Sequence, residues 1–170
     1  YTHGFVRVAA CAPVVAPALV KAGLTTAAAL AERHTWYLGL LDLLRVRSRT
    51  IDDIVRQAPP YFQATVEYDA EAVMKQWRDA KAVAEILSAT HERLSALPAW
   101  EPSAMEEALR KLAEELGISG GKIFQPLRVA LVGLTVSPGI FEVLQYVGRD
   151  WSLARLDAAV VYLNNDDRTA

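Results

Sequence analysis

At 170 residues the chain has enough material for one medium domain or two small helical ones, each with a real core. An apolar fraction of 52% and a charged fraction of 22% are those of a soluble globular protein. The net charge of −2 excludes binding of nucleic acid through a global basic field, so any such contact has to come from a local patch. The single cysteine, Cys11, excludes an internal disulfide and points to a reducing, cytoplasmic setting.

Phe5 to Leu24 is the one stretch that invites a membrane reading, but Arg7 and Lys21 lie in it and Pro13 and Pro17 interrupt it. Its uninterrupted apolar part falls short of the roughly 20 residues a spanning helix needs. A basic n-region and an initiating Met are both missing, which argues against a secretory leader, and the abrupt opening at Tyr1 suggests a piece of something longer.

Apolar spacing is helical almost throughout, which predicts an all-α fold. The first helix is expected to start near Pro13 and to stop before Gly23. A longer one runs from Thr26 through Leu30, Trp36, Leu38, Leu41 and Leu44 on spacings of three and four. Thr50 reads as an N-cap with Asp53 in the capping-box position, opening a short helix that ends before Pro59-Pro60. Tyr61 to Tyr68 reads as irregular, Asp69 as a cap, and Lys81 to Leu97 as a helix stopped at Pro98.

Trp100-Glu101-Pro102 is the best boundary candidate and divides the chain into subdomains 1–99 and 100–170. Beyond it, Ser103 and Glu106 form a predicted capping box, with Met105, Leu109, Leu112 and Leu116 as the inner face and Gly117 as the closing residue. Helices over Gly121–Leu134, over Pro138–Val147 capped by Ser137, and from Asp150 to about Leu163 complete the pattern, with a frayed polar tail from Asn164.

Catalytic chemistry finds little support. His3, His34 and His91 are scattered, and the neighbouring acids Asp52-Asp53, Glu106-Glu107 and Glu114-Glu115 diverge by about 100° on a helix. Gly117-Ile118-Ser119-Gly120-Gly121-Lys122 fails as a phosphate loop, because it is one residue short and Ile123 stands where Ser or Thr is needed. It fits the Gly-x-x-Gly loop of a KH domain locally, but that fold needs a sheet, so a helix–helix turn is the better reading.

Arginine is more informative. Arg45, Arg47 and Arg49 share one side if the chain is extended there, and planar guanidinium groups hydrogen-bond base edges and phosphates bidentately. Cations after a helix are also favoured by its dipole alone. Arg128 sits among Ile123, Phe124, Leu127 and Leu131, either as a snorkelling surface side chain or as a reader of bases. Ser137-Pro138-Gly139 is a cap, an N1 proline and a close-packing glycine that can also offer a hydroxyl and N–H groups to a base.

Arg45 to Thr50, Gln125-Pro126-Leu127-Arg128, Ser137-Pro138-Gly139-Ile140-Phe141-Glu142 and Gly148-Arg149-Asp150, in that order, resemble the C-terminal anticodon-binding domain of bacterial glutamyl-tRNA synthetases, which are class I aminoacyl-tRNA synthetases. The resemblance runs from about Ala22 to Leu163 and is most specific in its second half. It implies a helical cage of two small subdomains that grips the anticodon loop of the glutamate tRNA. It places Arg47 on the third anticodon base, a cytosine, and Arg128 on the first, and makes Arg45, in the same segment as Arg47, a further anticodon-binding candidate. Ser137, Pro138, Ile140 and Phe141 fall on the turn and helix start around the first and middle bases; the family often has Thr and Leu where this chain has Ser137 and Ile140.

The family's ATP-handling signatures, His-x-Gly-His and Lys-Met-Ser-Lys-Ser, are missing from the sequence. The resemblance therefore implies a recognition module without a catalytic centre or cofactor of its own. Its parent would join glutamate to tRNA using ATP and magnesium, with an upstream catalytic domain on the same polypeptide, as a cytoplasmic monomer. Val8 to Pro17 is richer in Ala, Val and Pro than the family's usual sequence and suggests an interdomain seam. A helical protein-docking module is the competing reading, supported by the acidic balance and that apolar stretch.

Overall fold

The computed structural model describes the backbone of residues 2–165 and the side chains of residues 8–165, and the expected frayed tail lies largely outside them. Every regular element among the described residues is a helix. The all-α expectation holds.

The chain forms two compact units, Tyr1–Ala64 and Thr65–Ala170. The first holds α1 (Thr2–Lys21), α2 (Ala27–Glu32), α3 (His34–Arg45), α4 (Ile51–Gln57) and α5 (Pro59–Phe62). The second holds α6 (Ala70–Gln76), α7 (Ala80–Ser95), α8 (Pro102–Leu116), α9 (Gly121–Val132), α10 (Ile140–Val147) and α11 (Arg149–Asn164). The sequence placed its boundary after residue 99, whereas the structural division comes at Ala64. Helix α7 decides the difference, because its apolar side packs on α11, α8 and α9.

In the first unit α1 begins at Thr2 rather than near Pro13, and both prolines lie inside it. They stand on the exposed side, where water can satisfy the carbonyls they leave without helical donors. Val8, Ala12, Val15 and Leu19 are the buried stripe, and Tyr37 Oη of α3 donates to Ala12 O at 2.8 Å across the α1–α3 contact. Gly23, at φ +77°, ends α1: its N–H bonds Val20 O and the Leu24 N–H bonds Leu19 O.

The long helix expected after Thr26 is broken at Arg33, whose φ of −108° and ψ of 38° are not helical. The Arg33 N–H still bonds Ala29 O and the Tyr37 N–H bonds Arg33 O, so the break keeps these ladder bonds. The Arg33 guanidinium lies 3.9 Å from the centre of the Trp36 ring. The Thr50–Asp53 capping box of α4 forms as expected. The Pro-Pro pair then opens α5 rather than an irregular stretch, and it buries Tyr61.

In the second unit Asp69 caps α6 as expected, and Asp79 caps α7 through the Ala82 N–H. Helix α8 departs from its predicted capping box. Pro102 takes the first helical position, so Glu101 becomes the N-cap residue and Ser103 falls within the first turn, where it cannot cap. Met105, Leu109 and Leu112 are buried, but Leu116 is 45% exposed beside the closing Gly117. Helix α9 is the central rod: Ile123, Leu127, Val129, Ala130 and Leu131 have no exposed surface, and it packs against α6, α7, α10 and α11.

Candidate nucleic-acid interface

Arg45, Arg47 and Arg49 are not on an extended segment. Arg45 is the last residue of α3 and Val46 is still helical, with Arg47 N–H to Leu44 O and Ser48 N–H to Arg45 O continuing as a tight turn. The three guanidinium groups therefore do not share a side through strand alternation. Arg45 Nε bonds Asp42 Oδ1 at 2.7 Å on the same helix, and Arg47 is exposed. The turn is held from inside by Ser48, whose hydroxyl donates to Leu44 O at 2.8 Å and accepts from Gln57 Nε2 at 2.7 Å. Asp53 receives the N–H groups of Arg49 and Thr50, which hold its carboxyl below the usual carboxylate range.

Arg128 belongs to the second unit and is half-buried on α9, one helical turn after Phe124 and three residues after Gln125. Its Nη1 donates to Gln125 Oε1 at 2.9 Å and its Nε to Ser137 Oγ at 2.7 Å. The Ser137 hydroxyl in turn donates to Pro138 O at 2.7 Å. This continuous chain of hydrogen bonds fixes the plane of the guanidinium group. It also explains why Ser137 does not cap α10: its hydroxyl is engaged elsewhere, and the helix starts at Ile140 behind Gly139 with no side-chain cap.

The other residues of that turn split by burial. Pro138 is buried and Ile140 is 5% exposed, so both brace the helix start from within. Phe141 is half-buried and meets Phe124 edge to face, with ring centres 5.4 Å apart. The Arg110 guanidinium of α8 lies 5.7 Å from the centre of the Phe124 ring. Gln125 and Phe124 were not singled out as site residues by sequence reasoning, although their spacings of three and four from Arg128 are those of helical neighbours. Arg128, Ser137, Pro138, Ile140 and Phe141 thus sit on one helix–loop–helix corner of the second unit, and Arg45 and Arg47 on the α3–α4 turn of the first.

Among the described residues no group of three or more His, Cys, Asp or Glu side chains could hold a metal ion, and no helix is long and apolar enough to cross a membrane. His91 faces Asp157 at 3.3 Å as an isolated pair between α7 and α11.

Comparison with known proteins agrees with the fold. A family model described as the anticodon binding domain matches residues 12–160. The glutamate–tRNA ligase of Myxococcus xanthus is 40% identical over 122 residues, covering 71% of this chain and 25% of its own length. That of Stenotrophomonas maltophilia is 37% identical over 153 residues, covering 90% of this chain and 31% of its own. A solved glutamate tRNA ligase from Elizabethkingia meningosepticum, in complex with its amino acid, superposes with a TM-score of 0.72 at 23% identity over 94% of this chain and 31% of that one. This chain accordingly spans about a quarter to a third of the relatives it matches. A self-standing docking module has no comparable support.

Proposed function

The chain belongs to the anticodon-binding domain family, and from that premise we propose that it reads the anticodon loop of the glutamate tRNA as the recognition module of a glutamate–tRNA ligase. The observation that supports this best is the Gln125–Arg128–Ser137–Pro138 chain of hydrogen bonds, which holds a guanidinium group in a set plane at the exit of α9. A fixed planar fork suits discrimination between base edges, whereas a swinging cation would serve only to attract phosphate. Arg128 reads the first anticodon base, with Ser137 and Phe141 beside it and Pro138 and Ile140 bracing the turn. Arg47 reads the third base from its exposed turn, with Arg45 next to it. Unstacked loop bases expose the pairing edges such groups recognise.

In the complete enzyme, ATP and magnesium supply the activation of glutamate, in an upstream catalytic domain on the same polypeptide. This chain's residues bind and orient RNA and take no part in that chemistry. The module works as a monomer in the cytoplasm.

Fluorescence titration with a glutamate anticodon stem-loop, and with loops altered one base at a time, tests the reading. Arg128→Ala should lose roughly 1–3 kcal/mol of discrimination at the first base and Arg47→Ala a similar amount at the third, each leaving the other base's discrimination in place. Equal losses on cognate and altered loops would remove both residues from base reading. Binding insensitive to both substitutions would favour a protein-docking role.

A further inference from the structure

Arg155 is the only charged side chain classed as buried among the described residues, at 3% exposure. It lies on α11, one turn after Trp151, whose ring centre is 5.6 Å from its guanidinium carbon. Its Nη1 donates to Leu131 O on α9 at 2.8 Å. That carbonyl is one of the last four of its helix and has no intrahelical donor to expect. A guanidinium group there also meets the negative end of the helix dipole.

The position of that carbonyl matters because it lies between the two partners of the reading pair. Arg128 precedes Leu131 by less than one turn, and the chain leaves α9 at Gly133 to reach Ser137. Gly133 adopts φ +77° and its carbonyl accepts the Asp69 N–H at 2.9 Å, so the exit turn is tied to a second element. Nearer the middle of α9, Trp77 Nε1 donates to Pro126 O at 3.2 Å from a fully buried ring. Trp77 and Arg155 thus hold carbonyls of the helix that carries Arg128 and Asp69 holds its exit, and the carbonyl that Arg155 caps lies, along the chain, between Arg128 and Ser137.

We infer that Arg155 is a positioning residue: by capping Leu131 it sets the exit of α9 and with it the Arg128–Ser137 hydrogen bond that orients the base-reading fork. The part of this that concerns bases rests on the function proposed above. The part that concerns the Arg128 side chain stands without RNA.

Arg155→Met fills the site with an apolar chain of similar length and removes the donor to Leu131 O. In the RNA-free chain it should shift the Arg128 Nε–H nitrogen resonance and speed its exchange with water several-fold. With stem-loops it should reduce first-base discrimination by roughly three- to tenfold and leave third-base discrimination unchanged. In an Arg128→Ala background the same substitution should change first-base discrimination no further. An unmoved Nε–H resonance, equal loss at both bases, or effects that add to those of Arg128→Ala would each overturn the inference. If the Met variant does not fold, Arg155→Leu, smaller and likewise without a donor, gives the same readings. Should the unaltered chain show no base discrimination at all, the proposed function fails, and the resonance still decides whether Arg155 positions Arg128.

Discussion

Replacing Gly133 with Ala sets two costs against each other that can be separated by a second glycine. A Cβ at Gly133 would lie 2.0 Å from Glu67 O and 3.1 Å from Glu67 C, both backbone atoms that cannot rotate away. Gly117 has nearly the same backbone, φ +66° against +77°, but a Cβ there meets nothing within 4 Å. Left-handed strain of about 1–2 kcal/mol, offset by a smaller loss of unfolded-state freedom, is common to both substitutions. Only Gly133→Ala must also push the chain at Glu67 aside and weaken the bond from the Asp69 N–H to Gly133 O, at 2.9 Å, which adds about 1–3 kcal/mol. The second unit, Thr65–Ala170, is of a size where about 1 kcal/mol moves Tm by roughly 4–8 °C. Thermal melts followed by circular dichroism should therefore place Gly133→Ala roughly 5–20 °C below Gly117→Ala. Equal melting points for the two variants would show that the Glu67 segment yields freely, and the account of a pinned α9 exit would lose one of its supports.

Three further outcomes follow from single contacts. The Tyr37 phenol is pushed up from 10.0 to about 12, first by burial and then by the neighbouring Cys11. The folded state therefore holds that proton more tightly than the unfolded one; its stabilising effect is complete below pH 10 and is lost as pH rises through about 12. Urea titrations at alkaline pH should show the loss, and Tyr37→Phe should flatten it. Asp53 titrates below 3.8, chiefly through the Arg49 and Thr50 N–H groups, so its contribution is present above that value and disappears as pH falls below it. Asp53→Asn should blunt this acid limb, and an unchanged limb would place the capping energy elsewhere. Trp77→Phe removes the donor to Pro126 O and leaves a void beside Tyr68, whose ring centre is 4.8 Å from that of Trp77. A loss of about 2–4 kcal/mol in urea unfolding is expected, and less than 1 kcal/mol would mean that α9 does not depend on this contact.

What the sequence reveals here is mostly what nearest neighbours decide. Thr50 with Asp53, Asp69, and the left-handed Gly117 were legible because a cap satisfies backbone groups only a few residues away. The misplacements have the same local signals but different winners. Ser103 lost its cap role to Pro102 one residue earlier, and Ser137 lost its own to Arg128, a partner nine residues back along the chain. Pro13 looked like a start because a proline usually is one, yet on an exposed helix face its missing bond can be made by water. The unit boundary was not legible, because no local feature tells that α7 will pack on α11, the fourth helix beyond the apparent break. Arg155 shows the limit most clearly: within Leu153-Ala154-Arg155-Leu156 it reads as any solvent-facing arginine, and only tertiary packing makes it a buried cap.

For the proposed site the sequence offered an order of motifs; the physical property the structure adds at Arg128 is stiffness. An arginine side chain has about 2 kcal/mol of rotamer entropy to lose when it is ordered. At Arg128 much of that loss is already taken in the RNA-free chain through Gln125 and Ser137. The cost falls on folding, where the packed core around α9 can offset it, and so weighs less on binding. In the proposed role a module with a net charge of −2 gains little from long-range attraction to RNA, so its affinity alone is expected to be modest and its salt dependence shallow. Discrimination does not need high affinity. It needs a donor pattern that cannot turn to suit the wrong base, and the proposed reading rests on Arg128 being such a pattern: its guanidinium group is held by Gln125 and Ser137 on a helix whose carbonyls are bonded by Trp77 and Arg155 and whose exit is bonded by Asp69.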